Sequence, residues 1–241
     1  ELLEAGPGET VLDLCSAPGG KGTQMAAKMQ GEGLLVLNEI HPARAKILSE
    51  NVERMGIRNA VVTNESPDRL ADRFEEFFDR IMVDAPCSGE GMFRKMEEAR
   101  SEWSPSAVVE CAARQREIVA EAWRALRPGG TLIYSTCTFN PSEDEGTVGW
   151  MNKEFGNELE ASDVIELQPD WGIVASTIGA FQCFHFYPHK AKGEGLFAAI
   201  ARKRSGTGRR SMPKSRRKVF APLQKSDMVE VNRWIKPEYA M

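Results

Sequence analysis

The feature that most constrains the fold is an alternation of short apolar runs with amphipathic helical stretches. Five apolar runs predict buried strands, over residues 10–14, 33–38, 60–63, 79–84 and 131–135. Helices are predicted over about 20–30, 41–55 and 106–126, and from Ser142 onward. Apolar strands that alternate with helices indicate a mostly parallel sheet covered on both faces.

Two later runs, near 181–186 and 196–201, are close enough along the chain to pair as an antiparallel hairpin. Together with the five earlier strands they predict a seven-stranded α/β sheet with helices on both faces. This is the Rossmann-like outline common among methyltransferases.

The chain divides by composition into three predicted parts. Residues 1–203 form the α/β domain, 204–221 a basic flexible linker, and 222–241 the start of a C-terminal RNA-binding module. The net charge is −4, but nine basic residues and no acid lie between Arg202 and Lys218. Such a block suits phosphate binding, although a solvated linker is the alternative.

Other features narrow the class of protein. No apolar stretch reaches the length of roughly 20 residues that a membrane helix needs, so no membrane partner is expected. The five cysteines form no C-x-x-C pair, which argues against a zinc knuckle or a thioredoxin-type redox site, and their odd number does not suggest a disulfide scaffold. Free thiols indicate a reducing compartment, and we expect a cytoplasmic monomer without a metal.

A glycine-containing turn follows the first strand, where an open parallel sheet binds its ligand. The turn and the helix start are Cys15, Ser16, Ala17, Pro18, Gly19, Gly20 and Lys21. Glu39 ends the second strand, where a carboxylate accepts hydrogen bonds from two ribose hydroxyls. Because the dinucleotide motif G-x-G-x-x-G is absent, S-adenosylmethionine is the better candidate. A plain tight turn beside a solvated acid is the alternative.

Two cysteines follow the fourth and fifth strands, Cys87 in Asp84-Ala85-Pro86-Cys87 and Cys137 in Ser135-Thr136-Cys137. Neighbouring strand ends place both thiols over one crevice. Thiolate addition to carbon 6 of cytosine makes carbon 5 nucleophilic, which is covalent catalysis. Asp84 is placed to hold the base edge, and the target base must leave its stack. Cysteine is also a common core residue, which we prefer for Cys111 and Cys183.

Four segments together resemble the Nop/Sun family of RNA cytosine-5 methyltransferases, most nearly the bacterial 16S ribosomal RNA enzymes of the RsmF type. The segments are DLCSAPGGKG, DAPCSGEG, YSTCTFNPSEDE and HKAKGEGLFAAIARK, and the likeness covers about residues 5–203. It implies a class I S-adenosylmethionine-dependent methyltransferase fold. The implied partner is RNA, as 16S ribosomal RNA or the small ribosomal subunit.

The resemblance also assigns roles that the residues alone leave open. It implies that Cys137 attacks, that Cys87 aids product release, and that Lys21 lies close to the catalytic centre. Asp84 is implied near the methionine end of the cofactor and the base, and Glu39 on the ribose. The loop from Cys15 through Lys21 is implied to hold the cofactor.

The family's pattern is not matched everywhere. Where it often has an Asp that contacts the adenine amine, this chain has Ser66, so Ser66, Glu65 or a backbone group takes that contact. We also include Arg44 among the cofactor-binding residues. The alternatives are an amino-group methyltransferase and a non-catalytic RNA-binding or assembly protein that keeps the fold. The motif that contains Cys87 argues against the first of these.

Overall fold

A computed structural model describes residues 2–161 and 165–206, together with Met228 and Arg233. Its strands are β1 (Thr10–Asp13), β2 (Leu34–Asn38), β3 (Ala60–Thr63), β4 (Phe78–Asp84), β5 (Leu126–Thr136), β6 (Leu159–Glu160), β7 (Val174–Ile178), β8 (Phe181–Phe186) and β9 (Leu196–Lys203). Its helices are α1 (Gly20–Met29), α2 (Pro42–Arg54), α3 (Pro67–Arg73), α4 (Glu97–Glu102), α5 (Pro105–Ala125) and α6 (Glu145–Glu154).

The strands form one sheet in the order β3-β2-β1-β4-β5-β9-β8-β7, with β6 paired to β9. Strands β1 to β5 are parallel, and β9 runs antiparallel to β5 and β8. The predicted α/β fold is confirmed, and its seven predicted strands are present. The described sheet has two more strands, the two-residue β6 and the edge strand β7, whose central residues are exposed and therefore lack an apolar signal.

Two apolar layers hold the sheet between its helices. One packs α3, α5 and α6 against the sheet around Trp123 and Tyr134, and the other packs α1 and α2 around Leu37 and Leu48. Burial of apolar surface on both faces is the main stabilising contribution in such a fold. Because β1, β2, β4 and β5 run parallel, their carboxyl ends lie at one edge of the sheet.

Two local predictions were wrong. The helix predicted from Ser142 begins only at Glu145. Glu143 and Asp144 are fully buried, because they accept hydrogen bonds from other parts of the fold instead of lying on a solvated first turn. The strand predicted over 131–135 begins earlier than expected. Strand β5 starts at Leu126, before the Pro-Gly segment, and its register against β4 shifts within that segment.

The start of the basic segment also differs from expectation. Lys203 is buried, and its Nζ donates to the carbonyls of Trp123 and Leu126 at 3.1 Å each. It therefore serves the fold and is not a surface phosphate contact. The remaining basic residues of the predicted linker beyond Arg204 lie outside the described residues. None of the described helices combines the length and the low polarity that crossing a bilayer requires.

Candidate active site

The register of β4 and β5 builds the centre of the site. Asp84 lies opposite Ser135 at the ends of these strands. Cys87 follows Asp84 by three residues and Cys137 follows Ser135 by two, so both thiols lie just beyond the sheet edge. Their sulfurs are 3.2 Å apart, within hydrogen-bonding distance for a thiol and a thiolate. The structure therefore brings together the two cysteines that the sequence placed over one crevice.

The two thiols differ in their electrostatic environment. The hydrogen bond from Cys87 lowers the pKa of Cys137 below its ordinary value, with a smaller contribution from the Lys21 ammonium, although burial and the Asp84 carboxylate oppose it. The same hydrogen bond, together with burial, raises the pKa of Cys87. A thiol and a thiolate can thus share the hydrogen bond between the two sulfurs. Which cysteine attacks and which aids release stays a prediction.

Asp84 lies between the thiols and the cofactor loop. Its Oδ2 contacts Lys21 Nζ at 2.7 Å, and its Oδ1 accepts a hydrogen bond from Ser135 Oγ at 2.5 Å. The carboxylate remains about one third exposed. Lys21, the second residue of α1, therefore joins the loop to the catalytic edge. Ser135 was not predicted, because nothing in its local sequence indicates that its hydroxyl faces Asp84.

The loop between β1 and α1 has an unusual backbone. The Ala17–Pro18 peptide bond is cis, and Gly19 has φ of +109°, where a side chain would also meet Leu48. Arg44 holds this loop from the side, since its guanidinium donates to Ala17 O at 2.8 Å. The same side chain reaches Glu39 Oε2 at 3.3 Å. Arg44 therefore positions the loop and Glu39, and a direct contact of Arg44 with the cofactor stays a prediction.

Glu39 is 3% exposed at the end of β2, where its Oε1 accepts the His41 amide at 2.9 Å. A buried carboxylate held by donors on one side keeps acceptor capacity for ligand hydroxyls on the other. Ser66 lies at the neighbouring end of β3, as the residue before α3. Its hydroxyl bonds to Asp68, lowering the pKa of that carboxyl. Whether Ser66 or Glu65 meets the adenine stays a prediction.

Asp13, the last residue of β1, is a further candidate site residue, and it was not predicted from the sequence. Among the described residues, its two carboxyl oxygens and the Ser16 hydroxyl are buried without a hydrogen-bond partner of normal length. Burial raises the pKa of Asp13 to about 7. Unpartnered buried oxygens beside a ligand loop suit a ligand that brings its own donors, such as the ammonium group of an amino acid. The cradle thus fits an adenosyl amino acid.

The remaining cysteines are less suited to chemistry. Cys183 is buried in the core, as predicted. Cys111, on α5, is only partly buried. Burial and the nearby carboxylates of Asp13 and Glu39 raise the pKa of Cys15, so that thiol stays neutral at the start of the loop between β1 and α1.

A cavity of about 1130 Å³ lies elsewhere, against one face of the sheet. Trp171, Phe184 and Ile200 are among its lining residues, and none of the predicted site residues is. Its size alone therefore gives no reason to move the site from the sheet edge, where the reactive groups converge.

The fold and the strand-end site define a class: a Rossmann-like methyltransferase fold with a paired-cysteine edge. The crystal structure of a SAM dependent methyltransferase from Aquifex aeolicus shares the fold, with a TM-score of 0.51 over 84% of this chain and 86% of its own, at 15% identity. The family model described as 16S rRNA methyltransferase RsmB/F matches residues 1–202. The chain belongs to this family, which confirms the resemblance inferred from the motifs.

Relatives support the same assignment. Ribosomal RNA small subunit methyltransferase F of Pectobacterium carotovorum is 38% identical over 225 residues, covering 92% of this chain and 46% of the relative. The crystal structure of NSun6 from Pyrococcus horikoshii with SFG is 30% identical, with a TM-score of 0.67 over 82% of this chain and 48% of that one. The chain thus spans about half the length of the curated relatives it matches.

Proposed function

We propose that this chain carries the catalytic domain of an S-adenosylmethionine-dependent RNA cytosine-C5 methyltransferase whose substrate is 16S ribosomal RNA. The observation that carries the proposal is the pair of thiols 3.2 Å apart at the ends of β4 and β5, next to the Asp84 carboxylate. Family membership and the name of the Pectobacterium relative support ribosomal RNA as the substrate.

The proposed chemistry begins with Cys137. Its thiolate adds to carbon 6 of a flipped cytosine, which gives carbon 5 the nucleophilic character that the unmodified ring lacks. Asp84 holds the base edge at the ring nitrogen and the exocyclic amine. Carbon 5 then takes the methyl group. Cys87, as its thiolate, accepts the carbon 5 proton, the pair from that C–H bond forms the double bond between carbons 5 and 6, and the bond between Cys137 and carbon 6 breaks to release the product.

S-adenosylmethionine, when bound, supplies an electrophilic methyl group on its sulfonium. Glu39 is proposed to hold its ribose and Asp13 its ammonium group, with the loop from Cys15 to Lys21 enclosing the rest. The buried, unpartnered oxygens of Asp13 support this arrangement. The structure of NSun6 with SFG, an analogue of S-adenosylmethionine, supports the identity of the cofactor.

Other aspects of the proposal concern the whole protein. We expect a monomer that needs no metal and acts in the cytoplasm. The small ribosomal subunit or its RNA is the expected partner. The nine basic residues between Arg202 and Lys218 support an RNA partner through their charge, except at Lys203, whose ammonium is used inside the fold.

Bisulfite sequencing of 16S ribosomal RNA tests this function. Cells that lack the gene encoding this chain are complemented with the unaltered gene or with a Cys137→Ser version. We expect at least one methylcytosine to disappear on deletion and to return only with the unaltered gene. An unchanged methylcytosine pattern after deletion, or full restoration by Cys137→Ser, contradicts the proposal. A protein that only binds RNA would give the first of these results.

A further inference from the structure

A buried carboxylate links the two loops that carry the cysteines. The Cys87 loop comprises residues 85–89 after β4, and the Cys137 loop comprises residues 137–144 after β5. Glu143, in the Cys137 loop, is fully buried and reaches across to the Cys87 loop. Its Oε2 accepts the Ser88 amide at 3.0 Å, and its Oε1 accepts the Ser88 hydroxyl at 2.5 Å.

Gln115 of α5 extends this link into the body of the fold. Its Nε2 donates to Glu143 Oε2 at 2.8 Å and to the Pro86 carbonyl at 3.0 Å. Its Oε1 accepts the hydroxyl of Tyr134, which also contacts the Glu143 carbonyl. A buried carboxylate with three donors is well compensated for its loss of solvent. The network therefore fixes both loops to α5 and β5.

Two further contacts lie beside the sulfurs: one joins the two loops, and the other joins the Cys137 loop to Gly91, just beyond the Cys87 loop. The hydroxyls of Ser88 and Thr138 are 3.0 Å apart, and each belongs to the residue that follows a cysteine. The Gly91 amide donates to the Cys137 carbonyl at 2.7 Å. A hydrogen bond between sulfurs depends on their separation, so any movement of one loop against the other weakens it.

We propose that Glu143 is a positioning residue: through Ser88 and Gln115 it holds the Cys87 loop against the Cys137 loop, so that the Cys87 thiol stays hydrogen-bonded to the Cys137 sulfur. The proposal deepens the proposed function, because it rests on Cys137 as the attacking group. In the part of the chain that the structure describes, Glu143 has no hydrogen bond to either sulfur, so its proposed action is through the separation of the two sulfurs.

The ionisation of Cys137 tests this proposal without RNA or cofactor. Alkylation of the purified protein by iodoacetamide is followed at the Cys137 peptide by mass spectrometry across a pH series. Glu143→Ala removes the link, and we expect the midpoint of the pH profile to rise by about one unit. Ser88→Ala, a change at a less buried position, should raise it in the same direction.

Two variants distinguish a loss of the contacts between the two loops from a general loss of stability. Glu143→Gln can keep all three contacts, since its oxygen accepts the two N–H groups and its amide donates to a rotated Ser88 hydroxyl. Its midpoint should stay close to that of the unaltered protein. Thr10→Val removes a buried hydroxyl contact with Asp79 at the opposite end of β1 and should leave the midpoint unchanged.

An unchanged midpoint in a folded Glu143→Ala or Ser88→Ala protein overturns the inference, as does an equal rise in Thr10→Val. If Glu143→Ala and Ser88→Ala show the expected alkylation shifts but the unaltered gene restores no methylcytosine, the proposed function fails while the positioning role stands. If the gene restores methylation and Glu143→Ala leaves the midpoint in place, only the inference fails.

Discussion

At the scale of single residues, the burial of Asp13 makes the stability of the fold depend on pH. Burial raises its folded-state pKa to about 7, whereas an unfolded chain ionises such a carboxyl near pH 4. Between these values the folded state holds a proton that the unfolded state has released. Its contribution to the free energy of unfolding therefore falls as pH rises from about 4 to 7 and then levels off.

Asp13→Asn removes this titration at nearly constant side-chain size. We expect its melting temperature to exceed that of the unaltered protein by more at pH 8 than at pH 4, measured by thermal unfolding without added cofactor. Asp170→Asn, at an exposed position, is the control and should show no such difference between the two pH values. If the difference in melting temperature between Asp13→Asn and the unaltered protein were the same at both pH values, Asp13 would ionise normally in the folded state.

At the scale of elements, Lys203 fastens the end of β9 to the end of α5. Its side chain is 10% exposed, and its ammonium caps two carbonyls at the helix C-terminus, where a positive charge is favourable. Glu76 and Glu158 lie 3.8 Å away and balance its charge. Arg202, the residue before it, is exposed, and its Nε lies 4.0 Å from Glu160 Oε2.

Lys203→Ala should therefore lower the free energy of unfolding by about 2–3 kcal/mol, since it removes hydrogen bonds to a buried charged group. Arg202→Ala should change it by less than about 0.5 kcal/mol. Denaturant unfolding of both variants measures the difference. Equal effects of the two substitutions would mean that the contacts of Lys203 add little to stability.

The strands and loops also differ in how well the sequence could predict them. The strands β1 to β5 and the cofactor loop carry strong local signals, since apolar runs end at glycine or at motif residues. The register that brings Cys87 beside Cys137 follows from two adjacent parallel strands. The burial of Glu143 could not be predicted, because its donors Ser88 and Gln115 lie 55 and 28 residues away in sequence. Asp13 has a strand-end position, which is the signal that could have identified it.

At the scale of the whole molecule, the basic segment is predicted to add nonspecific RNA affinity. Neutralising residues 216–218, Arg-Arg-Lys, to glutamine should weaken RNA binding and reduce the slope of log affinity against log salt by up to about 2. Binding titrations at several salt concentrations measure this. The control neutralises Lys28, Lys46 and Arg58, which carry the same charge on the exposed surface of the α/β domain. Equal slopes for the two variants would make the segment a plain linker.

In the proposed mechanism Cys137 attacks the base and Cys87 helps to release it. Without the Cys87 thiol, the adduct between Cys137 and carbon 6 should form but not resolve. The most direct measurement is denaturing gel electrophoresis of each variant after incubation with S-adenosylmethionine and 16S ribosomal RNA. Cys87→Ala should give a slowly migrating, nuclease-sensitive protein–RNA band, and Cys137→Ala should give none. A band from Cys137→Ala and none from Cys87→Ala would contradict the account and reverse the two roles.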